Sequence, residues 1–132
     1  MKEEVQRAFA EMLDISTDID KAVLFAPGEV LASNMTAEEE AAALAQAAEL
    51  VRLAEVRAAE MGSRPFTQLA IETPAGYVFL TRELTEGGMT ILATGKRGSH
   101  VGLVLYDLRT CLRDAREVLA EKSRSREEAG EA

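Results

Sequence analysis

The feature that most constrains this chain is an unbroken helical run between two strong boundary signals. Thr36-Ala37-Glu38-Glu39 is a capping box, in which the Thr hydroxyl accepts a free backbone N–H and Glu39 reaches back. Nothing from there to Met61 breaks a helix, and Gly62 is placed to end it. At 1.5 Å per residue this helix is roughly 37 Å long. Ala43, Leu44, Ala47, Leu50, Val51, Ala54, Ala58 and Met61 form an apolar stripe at three- and four-residue steps, enough to lay the helix on a sheet. Ala41, Ala45, Ala48, Val56 and Ala59 form a thinner second set, with Arg52 among them. These small residues either raise helix propensity or let a second helix approach closely, and both readings stay open.

The flanking segments say what the helix packs on. Val5, Phe9, Met12 and Leu13 predict a short amphipathic helix over residues 1–13. Asp20 to Ala26 has a continuous apolar middle, Ala22 to Phe25, as in a strand covered on both faces. Pro27-Gly28 suits the central positions of a tight turn, and Glu29 to Ser33 returns as a second strand. After the long helix, Phe66 to Thr73 alternates imperfectly and sets Gln68 and Glu72 on the face of Phe66, as an edge strand does. Turns at Pro74-Ala75-Gly76 and Glu86-Gly87-Gly88 separate strands at Tyr77–Leu84 and Met89–Thr94. Val101, Val104, Leu105, Leu108, Cys111, Leu112, Ala115 and Leu119 stripe a last helix. From Lys122 the periodicity stops, so the expected division is a domain over 1–121 and a disordered acidic, polar tail over 122–132.

Strands joined by tight turns are antiparallel neighbours. Apolar residues on both sides of the central strands need cover on both faces. The long helix supplies one cover and the terminal helices the other, giving a three-layer α/β/α domain of the α+β class with a five-stranded antiparallel sheet.

Composition excludes several roles. A chain of 132 residues suits one domain. Its net charge of −8, with Lys and Arg scattered rather than clustered, repels a nucleic-acid backbone and an anionic membrane. The charged start lacks the apolar run of a signal peptide, and no stretch approaches the ~20 apolar residues of a membrane span. A cytoplasmic protein is expected. The single cysteine, Cys111, rules out an intramolecular disulfide.

Candidate chemistry is sparse. Thr94-Gly95-Lys96-Arg97-Gly98-Ser99 runs from a strand into a helix, where backbone N–H groups cradle anions. A phosphate loop needs a glycine five residues before the Gly-Lys pair, and that position is Thr90. Ser99 is more simply expected to cap the last helix. His100 and Cys111 are three helical turns apart, about 16 Å, too far to share a proton or a metal; His100 reads as a surface residue and Cys111 as a core one. Asp14, Asp18 and Asp20 lack the glycine and terminal Glu of a calcium loop and read as a solvated turn with helix-capping groups. Glu38, Glu39 and Glu40 suit a helix N-terminus. No catalytic, cofactor-binding or metal-binding residues are expected, and no enzyme.

The element order resembles the roadblock / dynein-light-chain family. The local likeness lies in DIDKAVLFAPGEVLAS at Asp18–Ser33, PAGYVFLTREL at Pro74–Leu84 and MTILATGKRGSHVGLVLYDLR at Met89–Arg109, and covers about residues 3–120. The resemblance implies a roadblock-like, profilin-like fold and a homodimer or heterodimer. In that family the third strands pair across the dimer axis and the long helices pack side by side. Carried onto this chain, the interface falls on Ala45, Ala48, Val56, Ala59, Phe66, Gln68, Leu69 and Ala70.

Prokaryotic members often regulate small Ras-like GTPases, and others are adaptors in larger assemblies. The implied role is therefore a non-catalytic, homodimeric regulator or scaffold that binds such a GTPase, with Glu38, Glu49, Arg52 and Glu60 as the expected partner surface. The alternatives are an adaptor subunit without a GTPase and a small-ligand sensor.

Overall fold

The computed structural model describes residues 2–131. Helix α1 (Lys2–Ile15) leads into strands β1 (Ile19–Ala26) and β2 (Glu29–Ser33). Helix α2 (Ala37–Glu60) follows, then strands β3 (Gln68–Thr73), β4 (Gly76–Arg82) and β5 (Thr90–Gly95), and helix α3 (Val101–Glu131). The sheet order is β2-β1-β5-β4-β3, with every neighbouring pair antiparallel. Tight turns explain three of those pairings. The fourth, β1 with β5, is long-range, opposing Ala22 to Ala93 and Val23 to Leu92. It puts the two most apolar strands beside each other in the sheet interior, where both of their faces are covered.

Alternation along these strands sorts their side chains between two cores. Ala22, Leu24, Phe79, Ile91 and Ala93 face α1 and α3, and are closed over by Val5, Phe9, Met12, Val104, Leu108, Cys111 and Ala115. Val23, Leu80 and Leu92 face α2 and meet Ala47, with Ala43, Leu44, Leu50 and Val51 half-buried around it. The three layers are those the sequence implies. Each large apolar side chain fully removed from water contributes about 1.5–3 kcal/mol, so the α1/α3 side carries most of the core.

Both ends of α2 are built from local chemistry. Glu39 N–H donates to Thr36 Oγ1 at 3.1 Å, and Thr36 N–H donates to Glu39 Oε1 at 2.9 Å. At the other end Ser63 N–H reaches Ala58 O (2.8 Å) and Gly62 N–H reaches Ala59 O (3.1 Å). That double closure needs a left-handed residue after the helix, and Gly62 takes φ +71°. Met61 is the capping residue itself, and at 81% exposure it leaves the stripe assigned to it.

Two further expectations are corrected. β3 begins at Gln68, so the alternation does not extend back to Phe66; Phe66 packs on the α2 side while Gln68 faces α3. β4 ends at Arg82, leaving Leu84 exposed. The helical backbone of α3 runs to Glu131, and residue 132 lies outside the described residues. Lys, Arg, Glu and Ala there have good helix propensity, and Leu119 is the last residue of α3 packed on the core among the described residues.

Candidate interaction surface

The loop before α3 was the strongest candidate for anion binding, and the chain fills it with its own carboxylate. Asp18 Oδ2 accepts the backbone N–H of His100 at 2.8 Å, while Lys96 Nζ lies 3.4 Å from Oδ1. The His100 backbone N–H, then its ring and Lys96, hold the Asp18 carboxyl below the usual aspartate range. Ser99 does not cap the helix: its hydroxyl donates to Lys96 O at 2.6 Å, closing the turn instead. The cap is Asp18, distant in sequence. Cys111 lies in the core, and burial, with Asp114 nearby, pushes its thiol up to about 12. Among the described residues no three His, Cys, Asp or Glu side chains converge as metal ligands, and no helix is long and apolar enough to cross a membrane.

The surfaces left open are a strand edge and a helix face. β3 borders the sheet, and Ala70, Ile71, Glu72 and Thr73 are exposed, Ile71 at 39%. Across α2 only Ala47 is fully buried. Val56 is nine residues from Ala47, two and a half turns, so it points straight away from the sheet. Leu53 and Val56 are 44% and 43% exposed there. A half-buried cluster ties this helix to the start of β3. Glu55 accepts the Phe66 N–H at 2.9 Å and bonds the Arg82 guanidinium, which lies 4.2 Å over the Phe66 ring and donates to Phe66 O. This cluster links the α2 surface to the segment that leads into β3.

This arrangement of sheet, helices and open edge recurs among solved structures. A roadblock/LC7 domain from Streptomyces avermitilis superposes with a TM-score of 0.74 at 15% identity, covering 87% of this chain and 97% of that one. Myxococcus xanthus MglB gives 0.70 at 12% identity, covering 91% and 90%. An MglB solved in a tetrameric arrangement gives 0.67 at 16% identity, covering 87% and 90%. The chain has the roadblock fold. No family model and no curated protein matches it by sequence.

On this roadblock frame the expected residues fall as follows. Ala45, Ala48, Val56 and Ala59 are exposed on the outer side of α2. Ala48 and Ala59 stand seven residues before and four after Glu55, so they lie toward the flank that reaches β3 and β4. Gln68 and Leu69 are half-buried and Ala70 is exposed on β3 itself, whereas Phe66 sits before the strand under Arg82. Glu38, Glu49, Arg52 and Glu60 are all exposed on the same outer side of α2. Arg52 pairs with Glu49 at 3.0 Å and Glu60 with Arg57 at 3.1 Å, exposed helical pairs of little energetic weight.

Sequence reasoning missed Leu53 and Ile71, the two largest apolar side chains on this surface with Val56. Leu53 stands eight residues after Ala45, a helical spacing that could have found it. Ile71 shares a face with Leu69 at the strand period of two. Arg109 was also missed: it donates to Gln68 Oε1 at 2.7 Å from α3, a contact only the fold creates.

Proposed function

We propose that this chain works as a homodimeric, non-catalytic regulator or scaffold in the cytoplasm, binding a small Ras-like GTPase. The observation that carries the reading is an open strand edge linked through Glu55 and Arg82 to a helix face that exposes alanines, Leu53 and Val56. An exposed edge invites pairing with a further strand, and small residues let helices approach closely. The roadblock fold supports it, as does a relative solved in a tetrameric arrangement. The GTPase partner rests on the family resemblance of the sequence. The chain itself lacks the phosphate loop of a GTPase, so it would act on the partner's nucleotide-dependent switch segments.

The test has two arms. Sedimentation velocity across a concentration series reads self-association, which Ile71→Lys should weaken. Pull-down of small GTPases loaded with GDP or a GTP analogue reads partner choice, and binding in one nucleotide state supports regulation. Equal recovery in both states, or recovery of other proteins only, would replace the regulator with an adaptor.

A further inference from the structure

Taking the β3-to-β3 pairing that the family resemblance implies, we infer that its register is centred on Ala70, which sets Arg109 of each copy against the partner subunit's Glu72. This rests on the dimer reading above and adds to it a register and a charge pair.

The sheet has two edges, and only one is open to regular pairing. β2 pairs with β1 through a shift in register between Leu24 and Phe25, and its Leu31 and Ala32 are buried. Such an irregularity blunts an edge. β3 keeps an unbroken register with β4, from Gln68 opposite Thr81 to Thr73 opposite Gly76.

The direction of its free backbone groups follows from one bond. Arg82 N–H donates to Thr67 O at 3.0 Å, so Thr67 and Arg82 are a hydrogen-bonded pair. Bonded pairs alternate along an antiparallel ladder. Leu69 and Ile71 therefore bond to β4, and the N–H and C=O groups of Gln68, Ala70 and Glu72 point off the sheet.

Opposed residues in a ladder point to the same face. Two identical strands related by a two-fold axis therefore oppose an even-numbered residue to an even-numbered one. Centring the pair on Ala70 opposes Ala70 to itself and Gln68 to the partner subunit's Glu72. All three outward residues then exchange both bonds. Centring on Leu69 leaves Glu72 facing Phe66, which lies before the strand. Centring on Ile71 sets Gln68 against Pro74, which has no N–H to give. The Ala70 register also opposes Leu69 to the partner subunit's Ile71 on the α2 face, covering the exposed Ile71.

Charge agrees with this choice. Gln68 and Glu72 share the face turned to α3, where Arg109 holds Gln68 Oε1. Arg109 has no carboxylate within ion-pair distance among the described residues. Glu72 accepts the Tyr77 hydroxyl at 2.8 Å and likewise has no cation. Directly opposed Cβ atoms are about 5 Å apart, so the partner subunit's Glu72 comes within reach of the guanidinium already docked on Gln68. Two copies of an acidic chain repel at long range, and these two symmetric contacts supply local attraction at the ends of the ladder.

The experiment uses the whole chain. Arg109→Glu alone and Glu72→Arg alone each oppose like charges at both ends, and each should weaken the homodimer roughly tenfold. Mixed together, the two variants should pair with each other above the statistical share, read by native mass spectrometry. The double variant should regain wild-type self-association. Register is read separately: Ala70→Cys should cross-link to itself under mild oxidation, since opposed Cα atoms about 5.5 Å apart suit a disulfide. Leu69→Cys and Ile71→Cys should cross-link only when mixed. Statistical mixing of the charge variants, or self-cross-linking fastest at position 69 or 71, overturns the register while leaving a dimer in place. A wild-type chain monomeric throughout the series overturns the dimer reading as well.

Discussion

Asp18 and His100 meet across the fold: the carboxylate just before β1 accepts the backbone N–H of His100, the residue that leads into α3, at 2.8 Å. The sequence offered two separate features here, a glycine-containing basic loop and a group of aspartates. Folding joins them, and the negative end-group that a helix N-terminus favours comes from within the chain. Asp18→Asn should therefore lower the melting temperature in neutral buffer. The folded-state pKa of Asp18 is depressed, chiefly by the His100 N–H. Its contribution is thus present above the ordinary aspartate pKa and is lost as pH falls through the folded value. Melting curves of wild type and variant should converge in strong acid.

Glu83 joins the β4–β5 turn to α3. Its carboxylate takes both Arg116 Nη2 (2.7 Å) and Nε (3.2 Å), together with the Met89 N–H (2.8 Å). Burial raises its pKa, but the Arg116 and Met89 bonds outweigh that and leave it lowered. Glu83→Leu should cost about 1–3 kcal/mol in urea unfolding, because it strands a half-buried guanidinium and a backbone donor.

Thr81 has its hydroxyl buried with no hydrogen-bond partner among the described residues. Thr81→Val keeps the branched shape that suits a strand and removes the unsatisfied group. It should stabilise the chain by about 1 kcal/mol, seen as a higher urea midpoint at unchanged slope.

The Cys111 thiol, pushed up to about 12 mainly by burial, is protonated at any ordinary pH. Native protein at pH 8 should react with a thiol reagent far more slowly than the same protein in denaturant. Fast native labelling would mean that α3 opens readily from the sheet.

How much of this was legible beforehand depends on whether the signal was local. The ends of α2 were, because Thr36, Glu39 and Gly62 act on backbone groups within a few residues of themselves. So were the hairpins, whose turns announce themselves. The β1–β5 pairing was not, since nothing in Ala22 or Ala93 names the other. Met61 was misplaced because helical spacing says nothing about where the last turn ends. Phe66 was misplaced because alternation was extended past the true start of β3. Ser99 has the chemistry of a cap, yet lost that role to a side chain from the other end of the domain. The Arg109–Gln68 contact joins α3 to the strand edge and carries no trace in either segment alone.

The uneven division of the core between the two faces has a consequence for how the domain comes apart. α2 fully buries one alanine, while α1 and α3 share a dense cluster. Opening free energies follow buried apolar contact, so α2 should detach as a unit at lower cost than the other two helices. Amide hydrogens of α2 should then exchange with solvent before those of residues 104–115 in α3, and anything that docks on α2 would register first as slower exchange along that one helix.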